Sequence, residues 1–218
     1  MAADYERSVF VNCPFDEKYR HLFEAVVFAV HDCGYIARCS LEVDDASEVR
    51  IEKITKIISD CRFGLHDISR TETDSATGLP RFNMPFELGL FFGAKRFGRA
   101  EQKSKICLIL DVEQYRYQKF LSDIAGQDIA AHDGDIGNAI RCVRDWLSDA
   151  MPKSIRIPGG KAMATRYAVF REELPATCER IHLSIDELTF NDYLAQVEDW
   201  LKVNPRVTDW HHSDRRVT

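Results

Sequence analysis

From residue 8 to about residue 150, short apolar runs of strand length alternate with longer runs whose apolar residues recur every three or four positions. No other feature constrains the fold so strongly. Strands separated by helices pair in parallel through crossovers, and a parallel sheet needs helices on both faces. Residues 105–110, KICLIL, form the clearest strand, nearly continuous in apolar residues as a strand buried on both faces must be. Ser8–Asn12 (SVFVN), residues 35–39 and residues 62–67 supply three more, and residues 129–132 a weak fifth.

Between the strands, residues 18–33 place Leu22, Val26, Ala29 and Val30 on one helical face, and Gly34 is positioned to end that helix. Ser47 is read as the cap of the next helix, whose stripe is Ile51, Ile54, Ile57 and Ile58. A further helix opens near Pro85, a residue favoured in a first turn, and runs to about Lys95. Residues 115–124 and 135–150 complete the helical set.

After Pro152 the texture changes: IPGG at 157–160 is a turn, and residues 162–174 and 191–201 carry helical stripes without strands. The expected architecture is a flavodoxin-like α/β domain over residues 1–155, a parallel sheet flanked by helices, followed by a helical C-terminal extension over residues 156–218. The last residues, VTDWHHSDRRVT, are expected to be frayed or loosely docked. The stripes Tyr167, Phe170, Leu174 and Tyr193, Val197, Leu201 are expected to dock on the main domain or on another subunit. A homo-oligomer is the second of those outcomes.

Charge and composition exclude several classes. Lys and Arg number 29 against 35 Asp and Glu, a net charge of −6, which does not suit non-specific nucleic-acid binding. The longest apolar run, residues 25–30, is far below the ~20 residues of a membrane span. The opening MAADYERSVF does not read as a secretory leader. Seven cysteines occur singly, with no CxxC pair, and read as reduced thiols of a cytoplasmic protein. No metal site is expected, because His31 with Asp32, and His211 with His212, lack a third ligand at workable spacing. There is neither a Walker A sequence nor GxGxxG, so a dehydrogenase-type cofactor site is not expected.

In open parallel sheets, ligands bind at the carboxyl ends of the strands, where strand order reverses. With an order of 2-1-3-4 the crevice falls between the first and third strands. That rule selects Asn12, Cys13 and Phe15 after the first strand, Arg38 after the second and Asp67 after the third. It adds Asn83, Met84 and Glu87 at the start of the helix near Pro85. Glu87 sits among Met84, Phe86, Leu88, Leu90, Phe91 and Phe92. It reads either as a charge favoured by the helix dipole or as a carboxylate kept at a cleft for chemistry. Asp67 reads as a strand-end cap or a ligand contact, Asn12 as a turn residue or a contact, and Arg38 as the partner of the acidic loop containing Glu42, Asp44 and Asp45. Arg62 and Arg70 read as surface charges. Cys13 beside His66 would permit a Cys–His nucleophile.

Three segments carry a resemblance. VFVNCPFDEKY (9–19) resembles the first strand and loop of TIR domains and the opening of nucleoside 2-deoxyribosyltransferases. IISDCRFGLHDIS (57–69) is similar to the helix, strand and aspartate of the transferases. FELGLFFGAK (86–95) is similar to their helix bearing the catalytic glutamate. The likeness spans roughly residues 8–130 and extends to small bacterial TIR-like proteins of anti-phage defence. It implies Glu87 as the catalytic glutamate, Asp67 as a sugar- or base-contacting aspartate, and residues 12–15 as a loop closing over a nucleotide. The chain departs from the transferases in having Asn83, Met84 and Pro85 ahead of that helix, and their C-terminal substrate-binding element is not found.

The function so implied is cleavage of an N-glycosidic bond, foremost nicotinamide–ribose in NAD, with NAD as substrate rather than cofactor. Two other readings stay open: a nucleotide-binding sensor or scaffold without turnover, and a nucleoside 2-deoxyribosyltransferase. The expected partner is a small-molecule nucleotide, with neither membrane nor nucleic acid.

Overall fold

A computed structural model describes residues 2–43, 45–71, 73 and 78–206. Asp44 of the acidic loop and the expected frayed end, residues 207–218, lie outside the described residues. The chain runs α1 (Ala2–Tyr5), β1 (Ser8–Asn12), α2 (Arg20–Asp32), β2 (Ile36–Arg38), α3 (Arg50–Asp60), β3 (Phe63–Asp67) and α4 (Asn83–Phe97). It continues through β4 (Ile106–Asp111), β5 (Ile129–Ala131), α5 (Ile136–Ala150), α6 (Gly160–Arg180) and α7 (Phe190–Val203). The five strands are all parallel in the order β2-β1-β3-β4-β5, the flavodoxin-like arrangement read from the sequence.

Strand alternation divides the core. Val9, Val11, Phe63, Leu65, Leu108 and Leu110 point to one face, where α2 and α5 cover them. Phe10 and Ile109 point to the other, toward α3 and α4. On that second face Gly64 is required: a Cβ there would stand 2.7 Å from the Phe91 ring of α4 and 2.7 Å from His66 Nε2. The bare backbone lets α4 lie close on β3.

The extension adds a third layer over α2. Every residue of α2 from Leu22 to Asp32 is buried, because the sheet covers one side and α6 with α7 the other. The sequence states this in VVFAV, apolar all round rather than on one stripe. Phe28 stacks on Phe170 at 5.2 Å and meets Tyr167 at 5.3 Å and Trp200 at 5.7 Å. Arg166 of α6 makes a two-pronged ion pair with the buried Asp32 of α2 at 3.1 and 3.0 Å. The predicted stripes on α6 and α7 are therefore spent within the chain; of the six, Leu201 alone is left half-buried.

Several local expectations are corrected. Ser47 does not cap α3; it bonds to Asp45 Oδ1, and Val49 holds the cap position without a side-chain bond. Ile51 leaves the predicted stripe and is 38% exposed. Residues 115–124 form two short 3₁₀ turns, Arg116–Lys119 and Ser122–Ile124, entered through a left-handed Tyr115 (φ 64°). A continuous α-helix would not let Arg116 reach back to Asp111 as described below. The helix expected to stop at residue 174 runs through Pro175 to Arg180, because Leu174 and Cys178 continue its buried face. No helix among the described residues is long and apolar enough to cross a membrane.

Candidate active site

The carboxyl ends of β1 and β3, the loop after β1 and the start of α4 enclose a cleft of about 760 Å³. Six predicted residues line it together: Asn12, Cys13, Phe15, Asn83, Met84 and Glu87. They come from two segments some 70 residues apart, joined because β1 lies beside the central strand β3 and α4 packs across both.

Glu87 is the chemically distinctive member. It is buried, 7% exposed, and lies one turn into α4. No hydrogen bond or ion pair holds its carboxylate among the described residues. Burial pushes its pKa up to about 7, and the Arg50 guanidinium, which lines the same cleft, pulls the other way. A carboxylate in that condition changes charge readily and responds strongly to a nearby cation. The start of α4 has no side-chain cap at Phe82, so the helix end beside the cleft keeps its positive dipole open.

Asn12 builds this geometry rather than lining it passively. Its Nδ2 donates to the Met84 carbonyl at 2.9 Å and reaches His66 Nδ1 at 3.0 Å. An amide nitrogen only donates, so His66 Nδ1 accepts and the ring proton resides on Nε2. His66 is fully buried between the Phe10 and Phe91 rings. Burial, and next Lys105, hold its pKa down to about 3, so the ring is neutral.

Two predicted residues do not join the cleft lining. Asp67 is fully buried, accepting the Tyr19 hydroxyl and the Ser69 amide (2.8 Å), with His132 Nε2 3.0 Å away. The two hydrogen bonds fasten the loop after β1 to the loop after β3, and His132, just past β5, packs against the same carboxylate. Arg38 makes a two-pronged pair with Glu42 at 2.7 and 2.6 Å, the acidic-loop role read from the sequence. Cys13 reaches the cleft, yet burial and the neighbouring Asp67 carboxylate push its thiol pKa well up, the opposite of an activated nucleophile. His66 is occupied with Asn12, so a Cys–His pair is not assembled.

No family model, curated protein or solved structure matches this chain. The site must be read from its own chemistry. Among the described residues no cluster of His, Cys, Asp or Glu is arranged to hold a metal ion. His31 accepts the Ala37 amide at 3.1 Å and Asp32 binds Arg166, so both serve the packing of α2. His211 and His212 lie outside the described residues.

Sequence reasoning missed the cations. Lys18, Arg50, Arg70 and Arg81 line the cleft with Asp16, Glu17 and Glu87. Arg70, read as a surface charge, stands on the cleft wall and pairs with Asp16 at 3.3 Å. Arg116 steadies that wall from behind. It holds Asp111 Oδ1 at 2.6 and 2.8 Å, and its Nη2 donates to the carbonyls of Ile68 (3.1 Å) and Ser69 (2.7 Å). A usable signal existed: each of these cations lies in, or directly at the end of, a loop leaving the carboxyl end of a β-strand, the edge where ligands bind.

Proposed function

We propose that the chain cleaves an N-glycosidic bond of a nucleotide, with the nicotinamide–ribose bond of NAD as the best-suited substrate. The observation that carries this reading is Glu87: a buried, unpartnered carboxylate opening on a cleft whose walls bear four cationic side chains. A nucleotide needs both features. Its phosphates suit Lys18, Arg50, Arg70 and Arg81, and its ribose develops positive charge when the base departs.

The chemistry asks little more of the protein. As the C1′–N bond breaks, its electron pair passes to the pyridinium nitrogen and nicotinamide leaves neutral, so no strong general acid is required. Glu87 faces the oxocarbenium-like ribose and stabilises it more than the ground state, which is the condition for accelerating the step. Water then forms the C1′–O bond and loses its proton to Glu87 or to solvent. Asn12, tied to Met84, fixes the first turn of α4 and hence where the carboxylate stands.

Incubation with NAD followed by chromatography tests this. Free nicotinamide with ADP-ribose is the expected outcome. Binding without products would replace the reading by a nucleotide sensor, and base exchange on deoxynucleosides by a deoxyribosyltransferase.

A further inference from the structure

Beside the cleft lies a second hollow of about 450 Å³, built in part by the C-terminal extension. Phe15, Asp16 and Glu17 line both, so the two are contiguous across the loop after β1. The floor of the hollow is aromatic. Phe15, 38% exposed, meets Phe23 edge-on at 5.3 Å, and Phe23 stacks on Phe190 at 5.8 Å.

Its rim is acidic, whereas the cleft sets the cations Lys18, Arg50, Arg70 and Arg81 beside Asp16, Glu17 and Glu87. Glu17 and Asp186 are exposed carboxylates with no ion pair among the described residues. The cation in the lining, Arg20, is already committed to Glu24 at 3.0 Å and to the Ile185 carbonyl at 2.7 Å. The far wall is held in place by that Arg20 bond and by the capping box of Thr189 and Asp192. Asn191 adds a bond to the Glu42 carbonyl at 3.2 Å.

We propose that this hollow binds the second nucleobase of a dinucleotide whose scissile ribose lies at Glu87, and that the fitting class is a purine with an exocyclic amine. The inference rests on the N-glycosidase reading above. An aromatic floor takes the face of a base irrespective of sequence, and carboxylates at the rim accept from an exocyclic amine. A phosphate would be repelled there and drawn to the cleft instead. The contrast in charge thus orders the ligand along the groove: base on the acidic side, phosphates on the cationic side, reacting ribose at Glu87. The extension, on this view, sets which nucleotide is accepted.

NAD and nicotinamide mononucleotide, which lacks the second base, should be cleaved in parallel assays by wild type, Leu41→Trp and Asp186→Lys. Leu41 lines the hollow and is 42% exposed, so a larger ring there fills space without disturbing the core. Base stacking of the usual strength gives wild type a preference for NAD of about ten-fold or more in kcat/KM. Both variants should bring that ratio toward one. NAD turnover with a ratio unmoved by either variant would overturn the subsite and leave the hydrolase reading intact. If NAD is not cleaved, calorimetry with AMP decides. Binding weakened about ten-fold by Leu41→Trp keeps the subsite while the hydrolase reading falls, and binding absent or indifferent to the variant sinks the subsite.

Discussion

Asn12 donates to the main-chain carbonyl of Met84 at 2.9 Å, fastening the end of β1 to the first turn of the helix that carries Glu87. Its second bond, to His66 Nδ1 at 3.0 Å, anchors it to the neighbouring strand. One buried amide therefore sets the distance between sheet and carboxylate.

Replacing it should be costly in two ways. Asn12→Ala leaves the buried His66 Nδ1 without a donor, a loss of about 1–3 kcal/mol, and takes the second donor from the Met84 carbonyl, which keeps its helical bond within α4. It also frees the first turn of α4, so kcat for nicotinamide release should fall further than KM rises. Denaturant melts and steady-state kinetics on the same preparation measure both effects.

Glu87→Gln keeps size and shape while removing the charge. Loss of a preorganised group that meets developing charge costs on the order of 10²–10³ in rate. Nucleotide affinity, set chiefly by the cationic wall, should change much less. Equal rates for wild type and variant would take Glu87 out of the mechanism.

The same residue predicts a pH profile. With its pKa raised to about 7, Glu87 gains the active negative charge only as pH rises through 7, so turnover should climb over that range and flatten above it. The stability effect runs the other way. A carboxyl with a folded pKa above its unfolded value favours the fold below pH 4.5, and that contribution is lost as pH rises to about 7. The full loss is about 3 kcal/mol, so Glu87→Gln should melt higher than wild type at pH 8 and close to it at pH 5. Thermal melts at the two pH values check this.

Acid should unfold the protein through its buried histidines. Burial holds His66 at about 3 and His31 at about 4, both below the ordinary 6.5. The unfolded chain takes up these protons first, so stability is present above pH 6.5 and is lost as pH falls toward 4. At pH 5 the loss is of the order of 2 kcal/mol for each ring. Urea midpoints measured from pH 7 to pH 5 should fall accordingly, and ring NMR signals should stay those of neutral imidazole in the folded state.

Arg166→Ala should strip the extension of its main polar anchor. Asp32 would remain buried without its partner, a cost of about 3–5 kcal/mol. Chemical denaturation of the variant measures it, and a loss under 1 kcal/mol would show that apolar packing on Phe28 holds the layer alone.

The fold was legible because it is written in local periodicity. KICLIL, SVFVN and the helical stripes between them specify buried parallel strands and their crossovers, and the charge and cysteine pattern limits the classes of partner. The carboxyl-end rule then brought Asn12, Cys13, Phe15, Asn83, Met84 and Glu87 to one cleft without any coordinates. Other features depend on contacts between segments far apart in the chain. Asp67 reads from the sequence as a strand-end cap or a ligand contact; the bond from the Ser69 amide is the cap, and Tyr19 and His132 meet the same carboxylate from elsewhere in the chain. Arg70 reads from the sequence as a surface charge, and only the tertiary fold sets it in the same cleft lining as Arg50 at the start of α3. The extension's stripes were compatible with a partner chain, and only the all-round burial of α2 assigned them to their own. Local sequence sets which face of an element is apolar, because side-chain direction repeats with the backbone period. What that face meets is decided by the tertiary fold, since burial and pairing depend on residues that the local pattern does not contain.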